Sequence, residues 1–329
     1  MTESFEVTNP LILKRADPWM YHHTDGYYYF IATEPEYKFI GLRRADSVQG
    51  LATVKETAIW TAHGNRMSQH IWAPELHYID GTWYIYFAAA SLANQWDIRL
   101  YVLENTSSNP IEGSWTEKGE VVTPMAASDG TKFTLDATTF EHNGIRYLLW
   151  ADRSPNLDQN TQVYIDRLVN PWTIEGNPVM LTKPEYEWEI NRYAVNEGPA
   201  VIKRNGRIFI SYSASATDSR YAVGLLFASE DANLLDARSW TKSSEPVMQT
   251  SVQNSIYGPG HSMFSTSPKG TIDLLVYHAR NYDFIEERDG NALANHDRHA
   301  RVQKLNWSAD GMPILGPPLP EGTITITTD

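Results

Sequence analysis

The stretch DGTWYIYFAAA, residues 80–90, places a Gly-terminated turn pair directly before a run of aromatic and aliphatic residues. Asp-Gly and Asn-Gly pairs favour the type I′ turn of a tight hairpin, because both central residues need positive φ. The same unit recurs as Asp25-Gly26 before YYYFIAT and Asn143-Gly144 before IRYLLWA. It returns as Asn205-Gly206 before RIFISYSAS and Lys269-Gly270 before TIDLLVYHA. The five turns begin at 25, 80, 143, 205 and 269, so their spacings are 55, 63, 62 and 64 residues. Evenly spaced strand-rich units point to a closed radial array with about 65 residues per blade. The fold expected is therefore all-β, a five-bladed β-propeller forming one domain over residues 1–329.

Each interval also carries a later tryptophan: Trp60, Trp115, Trp172, Trp240 and Trp307. These read as outer strands packing between blades, since Trp covers much apolar area. The tail Thr323-Ile324-Thr325-Ile326 alternates like an edge strand and is expected to help close the ring.

Composition narrows the function. The 329 residues include 11 Trp, 18 Tyr and 10 Phe and no Cys, so disulfides, thiolate catalysis and Cys-based metal sites are excluded. A net charge of −13 argues against nucleic acid and against anionic lipid as partners. No apolar run approaches the roughly 20 residues needed to span a bilayer. The start MTESFEVTNPLILKRADPW shows no signal-peptide pattern, which gives an expectation of a cytoplasmic location.

Inner propeller strands deliver side chains to the axis. Counting back seven or eight residues from the five turns gives Asp17, Trp72, Asp136, Glu197 and His261. Three carboxylates at equivalent positions would cost desolvation energy unless paired or facing a wet pocket. Paired carboxylates flanking one bond are the apparatus of glycoside hydrolysis, with one protonated and one ionised. Neighbouring carboxylates raise each other's pKa, which keeps one acid neutral near pH 7. The abundant aromatics suit stacking on sugar faces.

In this order, RADPW (15–19), IWAPEL (71–76), TLDATTF (134–140), VNEGPAV (195–201) and GPGHSMF (258–264) resemble glycoside hydrolase family 43 over nearly the whole chain. The resemblance implies a five-bladed propeller that cleaves arabinose- or xylose-containing glycans with inversion. It implies Asp17 as general base, Glu197 as general acid, and Asp136 as the third acid that modulates Glu197. Inversion leads us to expect the Asp17 and Glu197 carboxyls roughly 6.5–9.5 Å apart.

By the same resemblance His261 contacts sugar or holds a structural calcium ion at the axis, and Arg280 reaches the bound sugar. Trp72 and Tyr193 would wall the pocket. No cofactor is needed for the chemistry. HDRHAR (296–301) reads as a polar strand of the last blade.

Within the family the expected activity is that of an exo-acting α-L-arabinofuranosidase on 1,5-linked arabinan or arabino-oligosaccharides, imported if the enzyme is cytoplasmic. A β-xylosidase or endo-arabinanase is the alternative inside the family. A chain ending soon after the fifth blade favours arabinose. Outside the family, a non-catalytic sugar-binding propeller would need no axial acids. A sialidase-type propeller would need Asp-box repeats, for which SADG (308–311) is a poor match. The oligomeric state stays open, a homo-oligomer included.

Overall fold

The structure, a computed structural model, describes residues 2–124, 134–153 and 160–328. Five antiparallel sheets stand as blades around one axis. Blade 1 runs through Ala16–His22, Tyr28–Thr33, Phe39–Ala45 and Thr57–Thr61. Blade 2 runs through Gln69–Ile79, Thr82–Ala90, Ile98–Asn105 and Thr116–Glu120. Blade 3 follows with Thr134–His142, Ile145–Asp152 and Gln162–Asn170, against which Thr173–Ile174 and Val179–Thr182 both pair. Blade 4 holds Asn196–Arg204, Arg207–Ala214, Ala222–Ser229 and Thr241–Lys242. Blade 5 holds Tyr257–Thr266, Asp273–Arg280 and His299–Lys304.

The turn pairs that reveal the repeat lie between the first and second strands of each blade. At 80–81, 143–144 and 205–206 both residues have positive φ, as a type I′ turn requires. At 25–26 and 269–270 only the glycine does; there the Gly amide donates back three residues, to the His23 and Ser267 carbonyls.

Apolar side chains fill the wedges between neighbouring blades. Ile31, Ile40 and Trp60 of blade 1 pack with Ile85 and Phe87 of blade 2. Tyr86 and Val102 meet Leu148 and Trp150 between blades 2 and 3, and Leu149 and Ile165 meet Ile210 and Trp240 between blades 3 and 4. Phe209 and Val223 meet Leu275 and Tyr277 between blades 4 and 5, and Met20 and Phe30 meet Leu274 and Val276 between blades 1 and 5. The expected packing of the outer tryptophans holds, with Trp60 on Phe87, its ring centre 5.0 Å away, and Trp307 on Phe209 at 5.6 Å, but Trp115, Trp172 and Trp240 sit beside strands rather than in them.

Both ends of the chain close the ring. Ser4–Asn9 pairs antiparallel with Gly322–Thr327, from Ser4 opposite Thr327 to Asn9 opposite Gly322. The Asn9 amide then brackets Val302 of blade 5, donating to its carbonyl at 2.7 Å and accepting from its N–H at 2.9 Å. Leu11 and Ile12 pair with Ala300, so the N-terminal segment lies beside the last strand of blade 5. Among the described residues, no helix is long and apolar enough to cross a membrane.

Candidate active site

Every inner strand breaks its ladder at one equivalent place. The register slips between Ala16 and Trp19, Trp72 and Glu75, Leu135 and Thr138, Glu197 and Ala200, and Gly260 and Met263. Each slip is a β-bulge, which leaves one residue unpaired and re-aims its side chain. The first bulged residue has left-handed φ in all five blades: Asp17 (52°), Ala73 (45°), Asp136 (56°), Gly198 (56°) and His261 (46°). Pro18, Pro74 and Pro199 follow three of them, at positions where a missing N–H costs no ladder bond.

This series corrects the sequence alignment by one residue in two blades. Trp72 and Glu197 precede the bulge, and Ala73 and Gly198 occupy it. Gly198 leaves space for His261: a Cβ there would lie 3.1 Å from the imidazole Nδ1.

The bulges free backbone amides that then organise the acids. Gly198 N–H donates to Asp136 Oδ2 at 3.0 Å, tying the residue after Glu197 to the acid of the neighbouring blade. Ala73 N–H donates to Thr33 Oγ1 at 2.7 Å, and that hydroxyl donates to Asp17 Oδ2 at 2.6 Å. Asp17 N–H donates to His278 Nδ1 at 3.0 Å, and His261 N–H to Ser213 Oγ at 2.7 Å.

Asp17, Asp136, Glu197 and His261 line one cavity of about 470 Å³ at the hub, together with Trp72, Trp96, Tyr193, Leu293 and Arg298. His261 Nδ1 lies 3.3 Å from Asp17 Oδ1 and 4.0 Å from Asp136 Oδ2. Arg298 Nη1 stands 3.3 Å from the same Asp17 oxygen. Glu197 Oε1 accepts from the Tyr221 hydroxyl at 2.8 Å. Asp17 and Asp136 are buried, while Glu197 is only half-buried.

Electrostatics separate the three acids. Burial works against the charge of Asp17, but His261, Arg298, His278 and the Thr33 hydroxyl outweigh it and hold the carboxyl at about 2. Burial pushes Asp136 well up, and the facing charges of Glu197 and Asp17 add to the rise. Burial also raises Glu197, to about 7, with Asp17 adding and the Tyr221 hydroxyl and Arg298 opposing. Asp136 and Glu197 interact strongly, so the pair titrates as a unit and retains a proton near neutrality. One ionised carboxylate and one protonated acid in a single cavity can activate a water and protonate a leaving oxygen.

The remaining expected residues divide. Trp72 is buried in the cavity wall, with the His70 ring stacked on it at 4.1 Å. Tyr193 is 37% exposed at the same cavity. Arg280 is fully buried and is not among the cavity-lining residues. It donates instead to Thr217 O at 2.7 Å, Ala292 O at 3.1 Å and Asn295 Oδ1 at 3.0 Å, pinning the loop that carries Leu293. The cavity is lined instead by Arg153 and by Arg298, the latter inside the HDRHAR stretch, of which only His299 onward joins the blade 5 strand.

The residues around His261 do not fit calcium, which takes six to eight oxygen ligands. Among the described residues no group of three or more His, Asp or Glu side chains is placed to hold a metal ion. The Arg298 guanidinium already supplies positive charge to Asp17 Oδ1.

The sequence pattern of glycosyl hydrolases family 43 matches residues 7–313. The chain is 53% identical over 324 residues to the extracellular exo-alpha-(1->5)-L-arabinofuranosidase of Streptomyces avermitilis. That match covers 98% of this chain and 66% of the relative, so the chain spans about two thirds of the relative's length. The relative of the same name from Streptomyces chartreusis is 51% identical over 278 residues, 84% of this chain and 83% of the relative. The crystal structure of alpha-L-arabinofuranosidase from Lactobacillus brevis superposes with a TM-score of 0.91 at 47% identity, over 96% of this chain and 98% of that one. Two relatives named extracellular overturn the expectation of a cytoplasmic location, and the expectation of imported substrates falls with it.

Proposed function

The chain belongs to glycosyl hydrolases family 43, and from that premise we propose that it is an inverting exo-α-L-arabinofuranosidase acting on 1,5-linked arabinan or arabino-oligosaccharides. The observation that carries this reading is the meeting of Asp17, Asp136 and Glu197 in one cavity at the hub. The names of the arabinofuranosidases at 53% and 47% identity support the choice of sugar.

Asp17, held ionised, takes a proton from a water as its oxygen bonds to the anomeric carbon. The bond from that carbon to the leaving sugar oxygen breaks, and Glu197 gives its proton to that oxygen. Solvent then carries the proton gained by Asp17 away and restores the one lost by Glu197. Asp136 touches neither bond; it accepts from Gly198 N–H, the amide next to Glu197, and so places the acid. The half-buried position of Glu197 supports its role as donor, because the acid must reach a leaving group in the cavity.

Incubation with a panel of p-nitrophenyl pentosides and linear arabino-oligosaccharides tests the assignment. Stepwise release of arabinose alone is expected. Release of xylose without arabinose, or internal cleavage into longer products, would overturn it.

A further inference from the structure

Tyr221 immediately precedes the third strand of blade 4 and is 1% exposed. Its ring lies flat against His278, with centroids 5.7 Å apart and planes within 2°. On the inner strand of blade 5 the residue beside it is Gly260, where a Cβ would fall 2.2 Å from the ring carbons. The second glycine of GPGH is therefore a vacancy that lets this ring sit where it does. So placed, the hydroxyl has Glu197 Oε1 at 2.8 Å. Tyr221 does not line the cavity, so it acts on a substrate only through Glu197.

We propose that Tyr221 is a positioning residue that fixes the Glu197 carboxyl for proton donation and sets the pH range over which it can donate. The proposal rests on the reading of Glu197 as general acid. A phenol donating to Oε1 occupies that oxygen and leaves Oε2 to carry the transferable proton. The same bond favours the anion and so offsets part of the rise that burial imposes. Without it Glu197 would be a weaker acid than the leaving oxygen requires.

Tyr221 remains a donor throughout, because burial and the facing charges of Glu197, Asp136 and Asp17 push its own pKa far up. The groups around this bond are Asp136, Asp17, Arg298, His261 and His278. Burial lowers the pKa of both histidines and opposes the charge of Arg298, whose pKa the facing Asp17 nevertheless raises. The imidazole under Tyr221 also accepts the Asp17 N–H through Nδ1. One stack thus supports both the acid and the bulge that carries the base.

The test is kcat/KM against pH for the wild type, Tyr221→Phe and Glu197→Gln. Two substrates are needed: α-1,5-arabinobiose, and an aryl α-L-arabinofuranoside whose acidic phenol leaves without protonation. On arabinobiose, Tyr221→Phe should move the alkaline limb up by about one unit and lower kcat about tenfold, with KM unchanged. On the aryl substrate, which needs no protonated Glu197, it should behave as wild type and Glu197→Gln should stay active. On arabinobiose, an alkaline limb unmoved in Tyr221→Phe overturns the role of Tyr221 alone. So does a change confined to KM. Cleavage of arabinobiose by Glu197→Gln at the wild-type rate overturns the assignment of Glu197 and the Tyr221 proposal with it.

Discussion

Arg298 Nη1 lies 3.3 Å from Asp17 Oδ1 although 281 residues separate them, and both side chains are buried at the hub. A buried carboxylate without a cation drifts upward and becomes a poor base at working pH. Replacing Arg298 by Ala should therefore raise the pKa of Asp17. A base works only when deprotonated, so the acid limb of kcat/KM should move up from near 2 toward neutrality. The plateau should fall by roughly 10²-fold, a typical contribution of one acid–base group. A pH profile of the variant checks both.

The wild-type profile should stay high on the acid side and fall as pH rises through about 7, where the pair containing Glu197 loses its proton. Asp136 shares that proton with Glu197, so replacing Asp136 by Asn leaves Glu197 to hold it alone, and the alkaline limb should move to lower pH. Rates measured across roughly pH 4–9, a range that brackets the limb near 7, on an unactivated arabino-oligosaccharide, where the leaving oxygen needs a proton, test the direction.

The site should cost stability. A carboxyl whose folded pKa lies above its unfolded value stabilises the fold below the unfolded value, and that contribution is lost as pH rises through the folded one. For Glu197 the window runs from the ordinary glutamate range up to about 7. Glu197→Gln should thus melt a few degrees above the wild type at pH 8. The gap should close toward pH 4, where the native carboxyl is also neutral. Melting curves at the two pH values decide it.

Arg280→Ala should act on the fold rather than on the chemistry. It strips donors from Thr217 O, Ala292 O and Asn295, all tied to the loop around Leu293. Several kcal/mol of destabilisation are expected from such buried unpaired groups. Urea unfolding measures the loss, and the pH limbs of the folded fraction should stay in place.

The hub was legible because the turn pairs and the acids before them repeat at a nearly constant count, so Asp17, Asp136 and Glu197 could be found without coordinates. The count drifts between seven and eight, however, and it set Trp72 and Glu197 level with bulged residues they precede. Asp17-Pro18, Ala73-Pro74 and Gly198-Pro199 carried the missing signal: a proline marks the second bulged position in three blades. Arg280 and Arg298 could not be told apart in the same way. Both follow the fifth turn, and which one reaches the cavity depends on carbonyls at 217 and 292 that only tertiary folding brings to Arg280. Tyr221 was invisible for a related reason. Its contact with Glu197 depends on Gly260 across a blade boundary, and neither residue stands out in a strand pattern.

Proton NMR of the first arabinofuranose released from α-1,5-arabinobiose, by the wild type and by Asp17→Asn, tests most directly whether a water activated at Asp17 attacks opposite Glu197. The β anomer should form first with the wild type, and the variant should release arabinose at least 10²-fold more slowly. An α anomer formed first, or a variant as fast as the wild type, would contradict that assignment.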